Sequence, residues 1–374
     1  MFRFRSALIM AMTLCVTGAA SAATSHASSS APAWSIPSDA RIRSVLVNLV
    51  DRRHVAPGMV IGIIEPSGRR VIAYGRQDLN DPRQVDGDTL FEIGSITKLF
   101  TTLLLTDMVQ RGEVKLDDPA ARFLPPAMTL PERNGRQITL LDLATHTSGL
   151  PNFPYNLGAR NPLNPFADYS DRGLATFLSS YRLPRTPGSY WEYSSLGVGL
   201  LGNLLAWREH TTYEALVTRR VLVPLGMTST GITLTADEAR RLSPGHTAWF
   251  ARAPNWDLPT LAGAAALRSS ANDMLTFLAA NLGYARTPLN GAMGAMLAVR
   301  RPTDWPYDAQ AIGWVVSQTY MGEVVQHEGK TSGYRTYVAF DPRRRTGVVV
   351  LANAATEVDL GDVGDRLLIG TIRS

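Results

Sequence analysis

At 374 residues, 45% of them hydrophobic and 18% charged, the chain has the make-up of a globular protein able to bury a core in one or two domains. A net charge of only +5, without a clustered basic-aromatic stripe, argues against nucleic acid as a partner. Cys15 is the only cysteine, which leaves no disulfide framework, no cysteine-based metal site and no thiol nucleophile in the body of the chain.

Residues 1–22 read as a secretory signal. Met1-Phe2-Arg3-Phe4-Arg5 is a basic head, residues 7–19 are an apolar run too short to span a membrane comfortably, and Ala20-Ser21-Ala22 is a small-x-small cleavage site. Residues 23–37, rich in Ser, Ala and Pro, form a flexible leader. No later run of about 18 apolar residues follows. The expectation is therefore an exported protein, periplasmic or secreted, with no stable membrane span after signal removal.

A helix is predicted over residues 39–54, with Ile42, Val45, Leu46 and Leu49 on one face. Residues 59–65 and 70–74 are short β-rich runs joined by a Pro66-Ser67-Gly68 hairpin signal. Helical character then dominates, with helices expected over residues 171–181, 196–208, 212–222 and 269–282. Thr139 with Asp142, Thr211 with Glu214, and Thr235 with Glu238 mark capping-box helix starts, and Ser270 is a candidate N-cap. Residues 151–169, with four prolines and four asparagines, read as a long loop beside a cleft. Strands return over residues 312–318, 323–328, 335–341 and 346–352, and residues 358–372 form a closing helix. Strands at both ends with helices between them predict an α+β fold: an antiparallel sheet built from both chain ends, with a mainly helical part inserted. The expected division is residues 38–80 with 308–374 for the sheet domain and 81–307 for the helical domain, the site lying between them.

The chemistry centres on Phe91-Glu92-Ile93-Gly94-Ser95-Ile96-Thr97-Lys98, which opens an apolar helical run. On a helix Ser95 and Lys98, three apart, share one face. A serine hydroxyl becomes a nucleophile when a neighbouring amine takes its proton. The chain has only three lysines, Lys98, Lys115 and Lys330, so about 0.2 Ser-x-x-Lys matches are expected by chance. Arginine, used almost everywhere else, cannot serve as a base, whereas a buried lysine can. Two further stretches offer partners. Tyr193, in Glu192-Tyr193-Ser194-Ser195, can pass a proton if nearby cations lower its pKa. In His327-Glu328-Gly329-Lys330, on a strand, the glycine would let a substrate backbone lie close along the strand edge. No Gly-x-Ser-x-Gly elbow and no His-Glu-x-x-His occur, which disfavours an α/β-hydrolase and a zinc hydrolase.

Ser95-x-x-Lys98, Tyr193-Ser194-Ser195 and His327-Glu328-Gly329 together resemble the three ordered motifs of serine β-lactamases and D,D-peptidases, in the class C branch. Supporting stretches are Asp142-Leu143-Ala144-Thr145-His146-Thr147-Ser148-Gly149-Leu150-Pro151, Pro224-Leu225-Gly226-Met227 and Ser269-Ser270-Ala271-Asn272-Asp273-Met274. The resemblance implies a cleft in which Ser95 forms an acyl-enzyme, Lys98 takes or shares its proton and Tyr193 relays a proton to the leaving group. The backbone N–H groups of Ser95 and Lys330 would form the oxyanion hole, with Ser195, His327 and Gly329 binding substrate. No metal or cofactor is implied; the partners are β-lactams or D-Ala-D-Ala-type cell-wall peptides, with an esterase for short acyl esters and a penicillin-binding module without turnover as alternatives. Two positions depart from the family pattern, Ser195 where Asn is usual and His327 where efficient class C β-lactamases have Lys. His146 is read as structural, because its segment recurs in the family away from the acid–base chemistry.

Overall fold

The computed structural model describes residues 35–371; the signal, its cleavage site and nearly all of the leader lie outside them. Alternating side chains make the strands. In β1 (Gly58–Glu65) all but the last residue is buried, so both faces of this strand are covered. It forms a hairpin with β2 (Gly68–Asp78) through Pro66-Ser67, where Gly68 takes φ 135. Its other edge pairs with β13 (Thr346–Ala352), Met59 opposite Ala352 and Ile64 opposite Gly347.

Nine antiparallel strands run in the order β3-β2-β1-β13-β12-β11-β10-β9-β8. The remaining members are β3 (Asp81–Gln84), β8 (Arg301–Pro302), β9 (Asp308–Gln310), β10 (Val315–Thr319), β11 (Gly322–Lys330) and β12 (Arg335–Asp341). Three short strands lie outside this sheet before residue 260: β4 (Leu90–Glu92), β5 (Gly245–His246) and β6 (Arg252–Ala253). β7 (Arg268–Ser270) pairs with β4. The expected sheet closed by both chain ends is present. It extends further than the sequence predicts, to Gln84 on one side and back to Arg301 on the other, because β3, β8 and β9 are too short to carry a period.

Period two decides what each face of the sheet meets. Val338 and Phe340 of β12 turn towards the large core shared with the helices. Tyr337 turns the other way and donates to Asp365 of the closing helix. The longer helices are α1 (Asp39–Val47), α2 (Thr97–Gln110), α4 (Asp171–Ser180), α5 (Ser195–Arg208), α6 (Ala271–Asn281) and α7 (Leu360–Leu368), with a one-turn helix α3 (Leu140–Ala144) between α2 and α4. Every residue of α2 from Thr97 to Met108 is buried, so this helix is the axis of the helical part rather than an amphipathic cover.

Thr139 and Asp142 close the expected capping box at the start of α3. Ser270 caps α6 by accepting from Asp273 N. The cap expected at Thr211 belongs instead to Thr212, which accepts from Ala215 N, while Glu214 reaches across to Thr233. Residues 151–169 carry neither helix nor strand.

Candidate active site

Ser95 is positioned by the residues just before it. Ile93 N donates to Leu267 O at 3.1 Å, while Ile93 O accepts from Thr336 Oγ1 at 3.0 Å, which pins the approach between β7 and β12. Gly94 then turns with φ +51, so close to β11 that a Cβ would meet Lys330 N at 2.7 Å. Ser95 follows in a 3-10 turn, Gly94–Ile96, that runs directly into α2. The same contact brings the Ser95 and Lys330 backbones together at the helix N-terminus, where N–H groups and the helix dipole favour a developing negative charge.

Lys98 Nζ lies 2.9 Å from Ser95 Oγ and 2.9 Å from Ala264 O. Burial, with no carboxylate against it, lowers its pKa to about 7. Near neutrality a large share of the lysine is therefore a free amine. One N–H then serves Ala264 O and the lone pair faces the serine hydroxyl. Nζ also sits 5.1 Å from the centre of the Tyr193 ring.

The Tyr193 hydroxyl lies near the hydroxyls of Ser95 and Ser195, which favour its ionised form. Its pKa is pushed up to about 12, by burial first, so the lowering by nearby cations that would ready it to pass a proton is not met. At pH 7 only about one phenol in 10⁵ would be ionised. The tyrosine is therefore a proton donor at rest.

His327 also sits otherwise than expected. It is buried, and its Nδ1–H donates to the carbonyl of Glu328 at 2.7 Å. Burial and then the charge of Lys98 lower its pKa to about 4, so it is neutral and offers no cation to a substrate carboxylate. Gly329 does not hold space for a substrate backbone. A Cβ there would fall 2.0 Å from Ile93 O and 2.2 Å from Thr336 Oγ1, so the missing side chain lets β11 close against the segment that carries Ser95. Lys330 turns outward to Glu357, Nζ to Oε1 3.2 Å.

Ser95, Tyr193, Ser195 and Lys330 open onto a cavity of about 650 Å³. Its walls are largely apolar, with Phe153, Leu163 and Phe166 from the long loop, Trp249 from the turn between β5 and β6, and Trp256 and Leu258 beyond it. Trp256 ties these pieces together. Its indole N–H reaches Ser332 Oγ at 2.9 Å and Leu163 O at 3.0 Å, and its ring meets Phe166 edge-on at 5.0 Å. Its backbone N–H donates to buried Glu92 at 2.7 Å, next to the nucleophile loop. Asn164 and Asp257 add two more bonds, each 3.0 Å, between the same two loops.

Sequence reasoning missed Asn152. Asn152 lines the cavity and its Oδ1 accepts the Ser195 N–H at 3.0 Å, so it supplies an amide beside the position where the second motif lacks one. Its signal was present in the asparagine-rich loop, but nothing distinguished it from Asn156, Asn161 or Asn164. His146, read as structural, belongs to the site's frame, packed against Tyr193 with ring centres 4.5 Å apart and a 39° tilt. Among the described residues no cluster of three or more His, Cys, Asp or Glu could hold a metal, and no helix is long and apolar enough to cross a membrane.

A family model described as Beta-lactamase matches residues 42–370. The D-alanyl-D-alanine-carboxypeptidase/endopeptidase AmpH of Escherichia coli (strain K12) is 29% identical over 325 residues, 83% of each chain. A beta-lactamase of the same organism is 27% identical over 349 residues, covering 83% of this chain and 88% of that one. Among solved structures, D-alanine carboxypeptidase AmpC from Burkholderia cenocepacia superposes with a TM-score of 0.75 at 26% identity, over 89% of this chain and 99% of the other. A class C beta-lactamase superposes at 0.77 with 20% identity, over 89% and 96% respectively, and so speaks to the fold alone.

Proposed function

This chain belongs to the Beta-lactamase family and is a serine hydrolase of the β-lactamase/D,D-peptidase type, and from that premise we propose that it is an exported enzyme that forms an acyl-enzyme on Ser95 from β-lactams or D-Ala-D-Ala-type peptides. The observation that carries the reading is the 2.9 Å contact between Ser95 Oγ and a lysine whose burial leaves it able to accept a proton near pH 7.

In the proposed acylation, Ser95 Oγ attacks the substrate carbonyl carbon while its proton passes to Lys98 Nζ. The carbonyl oxygen becomes an oxyanion facing the Ser95 and Lys330 N–H groups. As the carbon–leaving-group bond breaks, Tyr193 Oη gives its proton to the departing amine or alcohol and is restored by the proton held on Lys98. In deacylation a water gives up a proton along the same route and displaces Ser95. Proton transfer of this kind is worth roughly 10²–10⁴ in rate.

The cavity favours a second reading, an esterase for acyl esters. Its walls are mainly apolar, His327 is neutral, and Lys330 already faces Glu357. Ser95→Ala tests the chemistry common to both. It is expected to abolish covalent labelling by a fluorescent penicillin and by a fluorophosphonate; persistent labelling would remove Ser95 as the nucleophile. Rates of the parent protein on nitrocefin, a D-Ala-D-Ala peptide and p-nitrophenyl butyrate then separate the substrates.

A further inference from the structure

The segment following α3 touches the tyrosine loop at six points. His146 O accepts Glu192 N at 2.8 Å and Thr147 O accepts Gly188 N at 2.7 Å. His146 Nδ1 accepts Ser194 N at 3.1 Å, and Pro151 O accepts the Ser194 hydroxyl at 2.8 Å. Asn152 then takes Ser195 N on its side chain and Leu196 N on its backbone, both at 3.0 Å. His146 is the one residue here that holds both neighbours of Tyr193 and also touches its ring.

Resting on the acyl-transfer reading above, we propose that His146 is a positioning residue for Tyr193: Nδ1 takes the Ser194 N–H, the carbonyl takes the Glu192 N–H, and the ring face lies against the phenol, so that the hydroxyl stays aimed at the leaving group.

Four observations support this. A backbone N–H can only donate, so Nδ1 must be unprotonated, and the neutral ring carries its proton on Nε2. Burial, with Lys98 and His327 nearby, holds His146 well below its ordinary pKa and keeps that lone pair available. The backbone of His146 is left-handed, φ 58, a conformation uncommon outside glycine and one that sets its ring under Tyr193 while its carbonyl faces Glu192. The other side of the imidazole is closed by Trp191, edge-on at 6.4 Å, whose own N–H reaches Gln310 at 3.1 Å. The ring thus has one placement, and it fixes the tyrosine's.

Two variants separate the two contacts. His146→Asn retains a short acceptor and tolerates the left-handed backbone, but loses the ring face. His146→Phe retains a ring and leaves Ser194 N–H without an acceptor; should it fail to fold, the asparagine variant carries the test. The probes are p-nitrophenyl butyrate and methyl butyrate, which give the same acyl-enzyme. The aryl leaving group departs with little help, whereas the alkyl one needs the phenol's proton. In kcat/KM, Tyr193→Phe is expected to lose about 100-fold on the alkyl ester and far less on the aryl ester. His146→Asn should lose about tenfold on the alkyl ester and under about threefold on the aryl one. The double variant should lose no more than Tyr193→Phe alone, because His146 acts through that hydroxyl.

Equal losses on both esters, as a loosened fold would give, or losses that multiply in the double variant, would overturn the proposal. A parent protein inert towards both esters, or a Tyr193→Phe variant with the parental ratio, would defeat the site reading and this inference with it.

Discussion

The floor and the wall of the cleft are built on different terms. The floor is Ser95 with Lys98, two side chains one helical turn apart, sealed at the head of a fully buried helix. The wall is a ring of aromatic and aliphatic side chains from loops far apart in sequence, joined through Trp256. At the floor, burial moves a lysine pKa to about 7 and leaves no room for adjustment. At the wall, exposure runs from Trp249, 92% exposed, to the buried Phe166 and Leu258. The Ser95–Lys98 pair sits on a buried, local element, and the cavity wall is assembled from loops far apart in sequence.

That contrast is sharpest at Lys98. Lys98→Arg keeps a cation but supplies no titratable amine, and is expected to lower kcat/KM by about 10³-fold on every substrate. In the parent, where the neutral amine is the base, kcat/KM should rise with pH through a limb centred near 7, since protonation below that value removes the lone pair. A flat profile from pH 5 to 9, or near-parental turnover in the arginine variant, would show that the floor works by another base.

A smaller and selective effect is expected at the wall. Trp256→Ala removes the indole bridge and should raise KM about tenfold for esters with a bulky apolar acyl group, while kcat stays within about threefold. Measuring an acetyl ester beside a phenylacetyl ester checks this; equal changes on both would mean that Trp256 holds the site together without selecting the substrate. The smallest effect belongs to the rim. Glu357→Gln leaves Lys330 without its partner and should improve carboxylate-bearing substrates about two- to fivefold over neutral esters, the range expected of an exposed ion pair. If the carboxylate preference does not move, Lys330 plays no part in orienting substrate.

The sequence was legible where its signals are local. Ser95 and Lys98 lie within one turn, the Thr139–Asp142 box and the Ser270 cap are read from residues three apart, and the β12 strand from strict alternation. It misled where a role depends on surroundings. Tyr193 would pass a proton if cations lowered its pKa, and burial raises it instead. Gly329 was expected to leave room for substrate, and Ile93 O occupies that room. His146 was read only as structural, and the fold brings its ring against Tyr193, centres 4.5 Å apart.

By itself the sequence paired Ser95 with Lys98 one helical turn apart and predicted a sheet closed by both chain ends, both written in spacing and periodicity, while the three ordered motifs came from a family resemblance. Only the tertiary structure decided which groups are charged, what faces the cavity and what holds the tyrosine. Those properties arise between residues as distant as His146 and Ser194, 48 apart, or Ile93 and Thr336, 243 apart. Solvent exclusion and close packing set them, and no local pattern records either.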